Sequence, residues 1–349
     1  MGEIQLPRYI SVANQKGGVG KTTSSVNVAA DLAYLGFKTL LIDLDPQGNA
    51  SSGLGIDRHT SSTIYDVLIG QKELNDAVQQ TPVDNLFVIP ANPNLIGAEV
   101  ELINAISREK KLKQALKKLP ADFKFVVFDC PPSLGLLTIN AFTASHSILI
   151  PTQCEYYALE GLGQLMNTYQ IVKEDLNEAL EIEGVVLTMF DPRNKLTHEV
   201  VKELEEHFPD KLFKARIPRN VKLSESPSFG KPIVIYDPES KGCAAYLQLA
   251  GEMLTKWNLF NDEIAQRISR VGQPEEVAVE SPAEIRADAA PIPEVVAEPI
   301  PESPAAIESS DAVLSPEIVS TAEPEVLSPA PEILANEEIA QEKTESSDI

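Results

Sequence analysis

The 349-residue sequence has few cysteines, few aromatic residues and no long apolar run. Its three cysteines, Cys130, Cys154 and Cys243, are an odd number without a close pair, which favours a reduced protein over a disulfide framework. No apolar run approaches the roughly 20 residues that a membrane span requires, and Met1–Arg8 lacks the apolar core of a signal peptide. These absences predict a cytoplasmic protein without a membrane partner.

Phe, Tyr, Trp, Met and Cys are all absent from residues 271–349. This segment holds 19 Asp and Glu against two basic residues, together with 11 of the 26 prolines, and its net charge of −17 leaves −6 of the total −23 for the rest of the chain. Without large apolar side chains, burial cannot offset the entropy lost on ordering the segment. We therefore predict one folded domain over residues 1–266 and a disordered, acidic, proline- and glutamate-rich tail over residues 267–349.

Short apolar runs rich in β-branched residues alternate with stretches of helical periodicity from residue 9 to about residue 266. Near-continuous apolar runs are typical of strands that are covered on both faces. The predicted strands are Tyr9–Ala13, Thr39–Asp43, Leu86–Ile89, Phe125–Asp129, Ser147–Ile150 and Val185–Thr188. The predicted helices lie near Thr22–Leu35, Lys110–Leu119, Leu159–Leu176, Thr197–His207 and Lys241–Trp257. This alternation predicts a doubly wound α/β domain with a mostly parallel sheet.

One glycine-rich stretch stands between the first predicted strand and the first predicted helix. Glycines allow a backbone to turn tightly and to aim its N–H groups at an anion, and the helix adds the positive end of its dipole. Lys21 would contact the β- and γ-phosphate oxygens, and the Thr22 hydroxyl would ligate Mg²⁺. The sequence therefore predicts a P-loop NTPase that binds ATP and Mg²⁺. The predicted nucleotide-binding residues of the stretch, which directly follow Lys16, are Gly17, Gly18, Val19, Gly20, Lys21, Thr22 and Thr23.

Two predicted strands end in acidic residues. Asp43 and Asp45 are two positions apart, so in a strand their side chains would point to the same side. Asp129 ends a buried apolar strand, as expected of a Walker B aspartate that holds Mg²⁺ through water. These acids predict a carboxylate cluster beside the phosphate loop.

Lys16 is a second lysine, directly before the first glycine pair, and this feature resembles the deviant Walker A ATPases, which include ParA and Soj, MinD and the nitrogenase iron protein. The resemblance to ParA/Soj in particular extends over about residues 7–257 and does not reach the tail. It is carried by four longer stretches, Asp43–Gly48, Asp129–Asn140, Pro151–Gly161 and Ile217–Pro227.

The resemblance implies roles for single residues of the site. Lys16 would reach across a homodimer interface to bind the ATP of the partner subunit and take part in catalysis there, although without the resemblance it is alternatively a solvated lysine of the loop. Asp45 would orient the attacking water with support from Asp43, although holding a loop or capping a helix is an open alternative for Asp43. Pro218 and Asn220 would contact the adenine, although the same stretch also has the residues of an ordinary turn.

The resemblance also implies DNA binding, because arginines in matching segments of Soj-like proteins bind DNA non-specifically. The candidates are Arg193, Lys195, Arg219 and Lys222, each of which is alternatively part of a solvated charged surface. The implied function is a nucleoid-associated ATP dimer that partitions chromosomes or plasmids with a ParB/Spo0J-like centromere-binding protein. The alternative function is a ParA-like regulator that positions another cargo or controls replication initiation.

Overall fold

The computed structural model describes residues 7–57, 60–155 and 158–271, and within these ranges eight strands form one sheet. Their order across the sheet is β3-β4-β2-β5-β1-β6-β7-β8, and the only antiparallel pair described is β3 with β4. The strands are β1 Arg8–Val12, β2 Thr39–Asp43, β3 Gln79–Gln80, β4 Leu86–Ile89, β5 Phe125–Asp129, β6 Ser147–Gln153, β7 Glu181–Phe190 and β8 Leu212–Pro218. The predicted doubly wound, mostly parallel sheet is therefore confirmed.

Helices cover both faces of the sheet. The α-helices are α1 Lys21–Tyr34, α2 Asn49–Gly53, α3 Ile64–Leu68, α4 Leu95–Glu101, α5 Lys111–Ala115, α6 Leu136–Ala144, α7 Ala158–Asp175, α8 Lys195–His207, α9 Val221–Glu225, α10 Ile233–Tyr236, α11 Lys241–Lys256 and α12 Asp262–Arg270. Short 3₁₀ segments lie at Leu74–Ala77, Leu102–Asn104, Arg108–Lys110, Leu116–Lys118 and Ser226–Phe229.

Successive residues of the central strands enter two different apolar cores, because side chains alternate across a sheet. In β2, Leu40 and Ile42 join the core under α6 and α7, whereas Leu41 joins the core under α1 and α11. Strands β2 and β5 are buried along their whole length. This double burial explains why their sequences are near-continuous apolar runs.

The carboxyl ends of β1, β2 and β5 meet at one edge of the sheet. The chain leaves β1 for α1 and β2 on one side, whereas β6 lies on the other side of β1. In open α/β sheets such a reversal of winding leaves a crevice outside the carboxyl ends of the strands, where ligands bind. The glycine-rich stretch after β1 lies at this position.

Some elements differ from their predicted bounds. The helix predicted at Lys110–Leu119 is the single α-helical turn α5 flanked by 3₁₀ turns. Strand β8 is not among the predicted strands, because Lys214 and half-buried Arg216 interrupt the continuous apolar run by which the other strands are recognised. Most of the predicted tail, residues 267–349, lies outside the described residues, and α12 crosses the predicted boundary at residue 266.

The three cysteines are free and buried. In the part of the chain that the structure describes, no helix is both long enough and apolar enough to cross a membrane.

Candidate nucleotide site and basic surface

The loop between β1 and α1 is shaped by left-handed glycines. Gly18 has a φ of 76° and Gly20 a φ of 83°, a region that side-chain-bearing residues rarely adopt. Among the described residues, nothing lies within 4 Å of a Cβ placed on Gly17 or Gly18, so the space beside these two glycines is open. Gly20 precedes α1 without a side-chain cap, which leaves the first N–H groups of the helix available to an anion. The Thr188 hydroxyl of β7 donates to the Val19 carbonyl at 2.8 Å and fixes the loop from the side.

Lys21, the first residue of α1, folds back into the loop. Its Nζ donates to the Lys16 carbonyl at 2.9 Å, and its side chain is buried. Burial lowers the pKa of Lys21, while the negative charges of Asp129 and Asp45 act in the opposite direction. Lys21 thus lies between the loop backbone and the carboxylates, where it can contact the phosphates of a nucleotide.

Asp129, the last residue of β5, lies beside Asp43 in the sheet register and is fully buried. The Ser25 hydroxyl donates to Asp129 Oδ1 at 2.7 Å, but the buried Oδ2 has no hydrogen-bond partner among the described residues. Burial, followed by the charge of Asp43, raises the pKa of Asp129 to about 8, and the neighbouring hydroxyls of Ser25 and Thr22 act in the opposite direction. A buried carboxylate with a free oxygen beside a threonine hydroxyl fits a site for Mg²⁺, which keeps most of its water ligands.

The two remaining predicted acids differ in what they contact. Asp43 Oδ2 accepts hydrogen bonds from the Ser51 amide at 2.9 Å and the Ser51 hydroxyl at 2.7 Å, and Oδ1 accepts from the Asp45 amide at 3.1 Å. Burial raises the pKa of Asp43 to about 6, against these hydrogen bonds. Asp45 Oδ1 accepts from the Gln47 amide at 2.9 Å, and Asp45 is itself buried. The contacts of Asp43 therefore favour the alternative that it holds the loop between β2 and α2.

Lys16 points away from the interior of its own loop. Its amide donates to Asn14 Oδ1 at 3.0 Å, and its Nζ forms an ion pair with Glu155, two residues beyond β6. Both side chains are partly exposed, at 27% for Lys16 and 46% for Glu155. The two lysines of the loop therefore occupy different places, with Lys21 inside and Lys16 at the solvent-facing rim.

A cavity of about 290 Å³ adjoins the phosphate loop on the side of β8. It brings the predicted adenine contacts, Pro218 and Asn220, together with Gly20 and Thr23 of the loop. Asn220 also caps α9, because its Oδ1 accepts the Lys222 amide at 2.8 Å. The proximity of this cavity to the loop fits a base linked to phosphates that the loop holds.

The four predicted DNA contacts lie at the carboxyl ends of β7 and β8. Arg193 and Lys195 follow β7, whereas Arg219 and Lys222 follow β8, and all four are exposed. Because β7 and β8 are neighbours in the sheet, two segments that are distant in sequence form one basic surface. Arg193 and Lys222 each form an ion pair with an acid of their own segment.

The comparisons with known proteins agree with this site. Residues 7–182 match a family described as an AAA domain. The chain is 55% identical over 247 residues to the sporulation initiation inhibitor protein Soj of Bacillus subtilis, across 70% of this chain and 98% of the relative. It is 52% identical over 256 residues to the chromosome partitioning protein ParA of Myxococcus xanthus, across 73% and 90%. The chain belongs to the ParA/Soj family of partitioning ATPases.

A solved structure supports the same nucleotide chemistry. Cobyrinic acid a,c-diamide synthase from Mycobacterium smegmatis with bound ADP and magnesium superposes with a TM-score of 0.65 at 36% identity, over 72% of this chain and 96% of that chain. Membership of the ParA/Soj family confirms the predicted family, the P-loop fold and the ATPase class. The predicted cofactors, ATP and Mg²⁺, agree with the ligands of the solved relative. The roles of single residues in this chain stay predictions.

Several residues of the ParA/Soj site did not follow from the sequence. Ser25 lies one helical turn after Lys21, a spacing that could have indicated it. Glu155 lies two residues after the end of β6, just as Asp45 lies two residues after the end of β2. An acid at this position after a strand is the sequence feature that indicates Glu155. Ser51 and Thr188 carried no such signal, because each acts through a hydrogen bond to another segment.

Proposed function

We propose that this ParA/Soj protein is an ATP-dependent dimeric switch that binds DNA non-specifically and hydrolyses ATP with a ParB-like partner to partition chromosomes or plasmids. The observation that carries the proposal is the separation of the two loop lysines. Lys21 already fills the interior of its own loop, whereas Lys16 lies at the rim in a half-exposed ion pair with Glu155. Lys16 is therefore free to exchange Glu155 for the nucleotide of a second subunit.

Hydrolysis would follow from the groups around the loop. The backbone amides and Lys21 would hold the β- and γ-phosphates, and Thr22 and Asp129 would hold Mg²⁺, which neutralises charge on the phosphates. Asp45, two residues beyond β2, would orient the water that attacks the γ-phosphoryl group. Asp43 would support this geometry through the loop that it holds.

DNA binding would follow from the basic surface at the ends of β7 and β8. Non-specific affinity grows with each phosphate that a cation neutralises, and a dimer presents the surface twice. ATP binding would thus convert weak contacts into stable attachment to the nucleoid, and hydrolysis would release the subunits. Residues 271–349 carry −17 of the total net charge of −23, so the negative charge of the whole chain does not argue against DNA binding at this surface.

The first test is co-sedimentation of the full chain with non-specific DNA in the presence of ATP, ADP or no nucleotide. We expect co-sedimentation with ATP and little with ADP or without nucleotide. A ParB-like protein, with DNA present, should increase ATP turnover. Equal sedimentation in all three states would contradict the ATP switch.

The second test separates the dimer from nucleotide binding. Lys16→Ala should abolish the ATP-dependent increase in mass seen by light scattering while it leaves ATP binding to the monomer intact. Lys124→Ala is the matched control, because Lys124 is an exposed lysine just before β5, at the opposite end of the strands. A normal dimer of the Lys16→Ala variant would exclude the proposed contact across the interface.

A further inference from the structure

At the ends of β7 and β8, two of the basic residues predicted to bind DNA, Arg193 and Arg219, lie near the carboxylate of Asp191. Phe190 and Pro218 are partners in the sheet register, so Asp191 and Arg219, the residues that follow them, leave the sheet side by side. Arg193 binds Asp191 through two guanidinium contacts, from Nε to Oδ1 at 2.9 Å and from Nη2 to Oδ2 at 2.8 Å. These hydrogen bonds, with a smaller contribution from the charge of Arg219, lower the pKa of Asp191 to about 2.

This pairing uses the donors that a DNA phosphate would need. Arginine binds phosphates and carboxylates with the same fork of two parallel N–H groups, so Asp191 and a phosphate compete for Arg193. Arg193 is 88% exposed and Asp191 41% exposed, and an exposed ion pair of this kind contributes little free energy. The contact can therefore be exchanged when DNA approaches.

The second half of the surface repeats the arrangement with a lysine. Lys222 Nζ lies 3.1 Å from Glu225 Oε2, and the Tyr236 hydroxyl donates to the same oxygen at 3.1 Å. Because Tyr236 also holds Glu225, this carboxylate stays beside the surface even when Lys222 turns to another partner. A DNA phosphate at Lys222 would then face the negative charge of Glu225.

We propose that Asp191 is an intrachain competitor for DNA phosphates that sets the affinity of the basic surface, with Glu225 in the same role at Lys222. The inference rests on the DNA binding proposed above and adds its regulation. Arg193, Asp191 and Arg219 together carry one net positive charge, so a single subunit offers a weak surface. Strong binding then requires the second subunit, and separation of the dimer after hydrolysis releases the DNA.

The test is the affinity of Asp191→Asn for a short non-specific duplex, measured by fluorescence anisotropy with ATP and Mg²⁺ over a range of salt concentrations. Asparagine keeps an acceptor for the Arg193 amide, which bonds Asp191 Oδ1 at 3.0 Å, so the local turn is retained. We expect binding about threefold to tenfold tighter at low salt, because Arg193 is no longer paired with a carboxylate and is free to bind a phosphate. The gain should shrink as salt rises. Glu225→Gln should give a smaller gain.

Two controls show whether the gain in DNA affinity of Asp191→Asn depends on Arg193. Asp84→Asn removes one exposed negative charge before β4, at the opposite end of the strands, and should leave the affinity unchanged. In an Arg193→Gln background, Asp191→Asn should lose most of its gain, because the competed group is absent.

The outcomes separate this inference from the proposed function. An unchanged affinity of Asp191→Asn, or an equal gain with Asp84→Asn or without Arg193, would overturn the role of Asp191 while DNA binding stands. Absence of DNA binding by the wild-type chain and by Asp191→Asn would overturn the DNA-binding function and the inference together.

Discussion

The phosphate loop and the basic surface lie at the same edge of one sheet, yet they hold charge in different ways. Around the loop, Asp43 and Asp129 are fully buried and have specific hydroxyl and amide partners. On the basic surface, Arg193 and Lys222 are exposed and pair with acids of their own segments. Burial makes the charged form of an acid costly, so these buried acids depend on fixed partners, whereas exposed ion pairs can exchange partners at little cost. The first region is suited to a preorganised nucleotide site and the second to reversible contacts with a polyanion.

The largest loss of stability is expected from a partner of a buried carboxylate. The Ser51 hydroxyl donates to Asp43 Oδ2 at 2.7 Å and accepts the Ala91 amide at 3.1 Å. Ser51→Ala removes both bonds and should lower the free energy of unfolding by about 2 to 4 kcal/mol, because two buried groups lose a partner. Urea denaturation without nucleotide measures the change.

The matched control for Ser51 is Ser228→Ala, because Ser228 is an exposed serine. Its free energy of unfolding should change by less than about 0.5 kcal/mol. Equal decreases in the free energy of unfolding of the two variants would show that the hydrogen bonds of Ser51 to Asp43 and Ala91 do not stabilise the fold.

An intermediate effect is expected at Asp31, a buried acid of α1. Both of its carboxylate oxygens are buried without a hydrogen-bond partner among the described residues, and burial raises its pKa well above the ordinary value. At a pH between the pKa of Asp31 in the unfolded chain and its higher pKa in the folded chain, the folded chain therefore keeps a proton on Asp31 that the unfolded chain has released. The contribution of Asp31 to the free energy of unfolding is largest below the unfolded pKa. It decreases by about 1.4 kcal/mol per pH unit as the pH rises from the unfolded pKa to the folded pKa.

Asp31→Asn removes this titration while keeping the shape of the side chain. The free energy of unfolding of the variant, minus that of the wild type, should increase between about pH 4 and the folded pKa of Asp31. Urea denaturation at a series of pH values gives this difference, which cancels the groups common to both proteins. Parallel pH curves for the two chains would show that Asp31 is ionised in the folded state.

The sequence predicted the centre of the sheet well and its edges poorly. Strands β2, β4 and β5 have their predicted bounds, because burial on both faces leaves continuous apolar runs. Strand β8 lies at an edge and carries Lys214 and Arg216, so its pattern resembles a charged segment. Helix α2 was missed because five residues are too few to establish helical periodicity.

The phosphate loop could be predicted because its residues are contiguous. The partners of those residues could not, since a hydrogen bond or ion pair between distant segments leaves no periodic signal. Lys16 and Glu155 are separated by 139 positions and meet only through the pairing of β1 with β6. The burial of Asp31 likewise depends on α11 packing over α1, which local sequence does not specify.

The smallest effect on stability is expected from Arg193→Gln on the basic surface. The variant loses an exposed ion pair with Asp191, so the free energy of unfolding should change by less than about 0.5 kcal/mol. Its DNA affinity should nevertheless fall, with a weaker dependence on salt, since one phosphate contact per subunit is lost. Urea denaturation and anisotropy titrations on the same preparation measure both quantities. A loss of stability above about 1 kcal/mol would mean that the pair is part of the fold, because exchangeable surface pairs contribute less than that. Arg193 would then have a fixed partner, as the buried acids near the phosphate loop do. Asp191 would be a structural partner of Arg193 instead of a competitor for DNA.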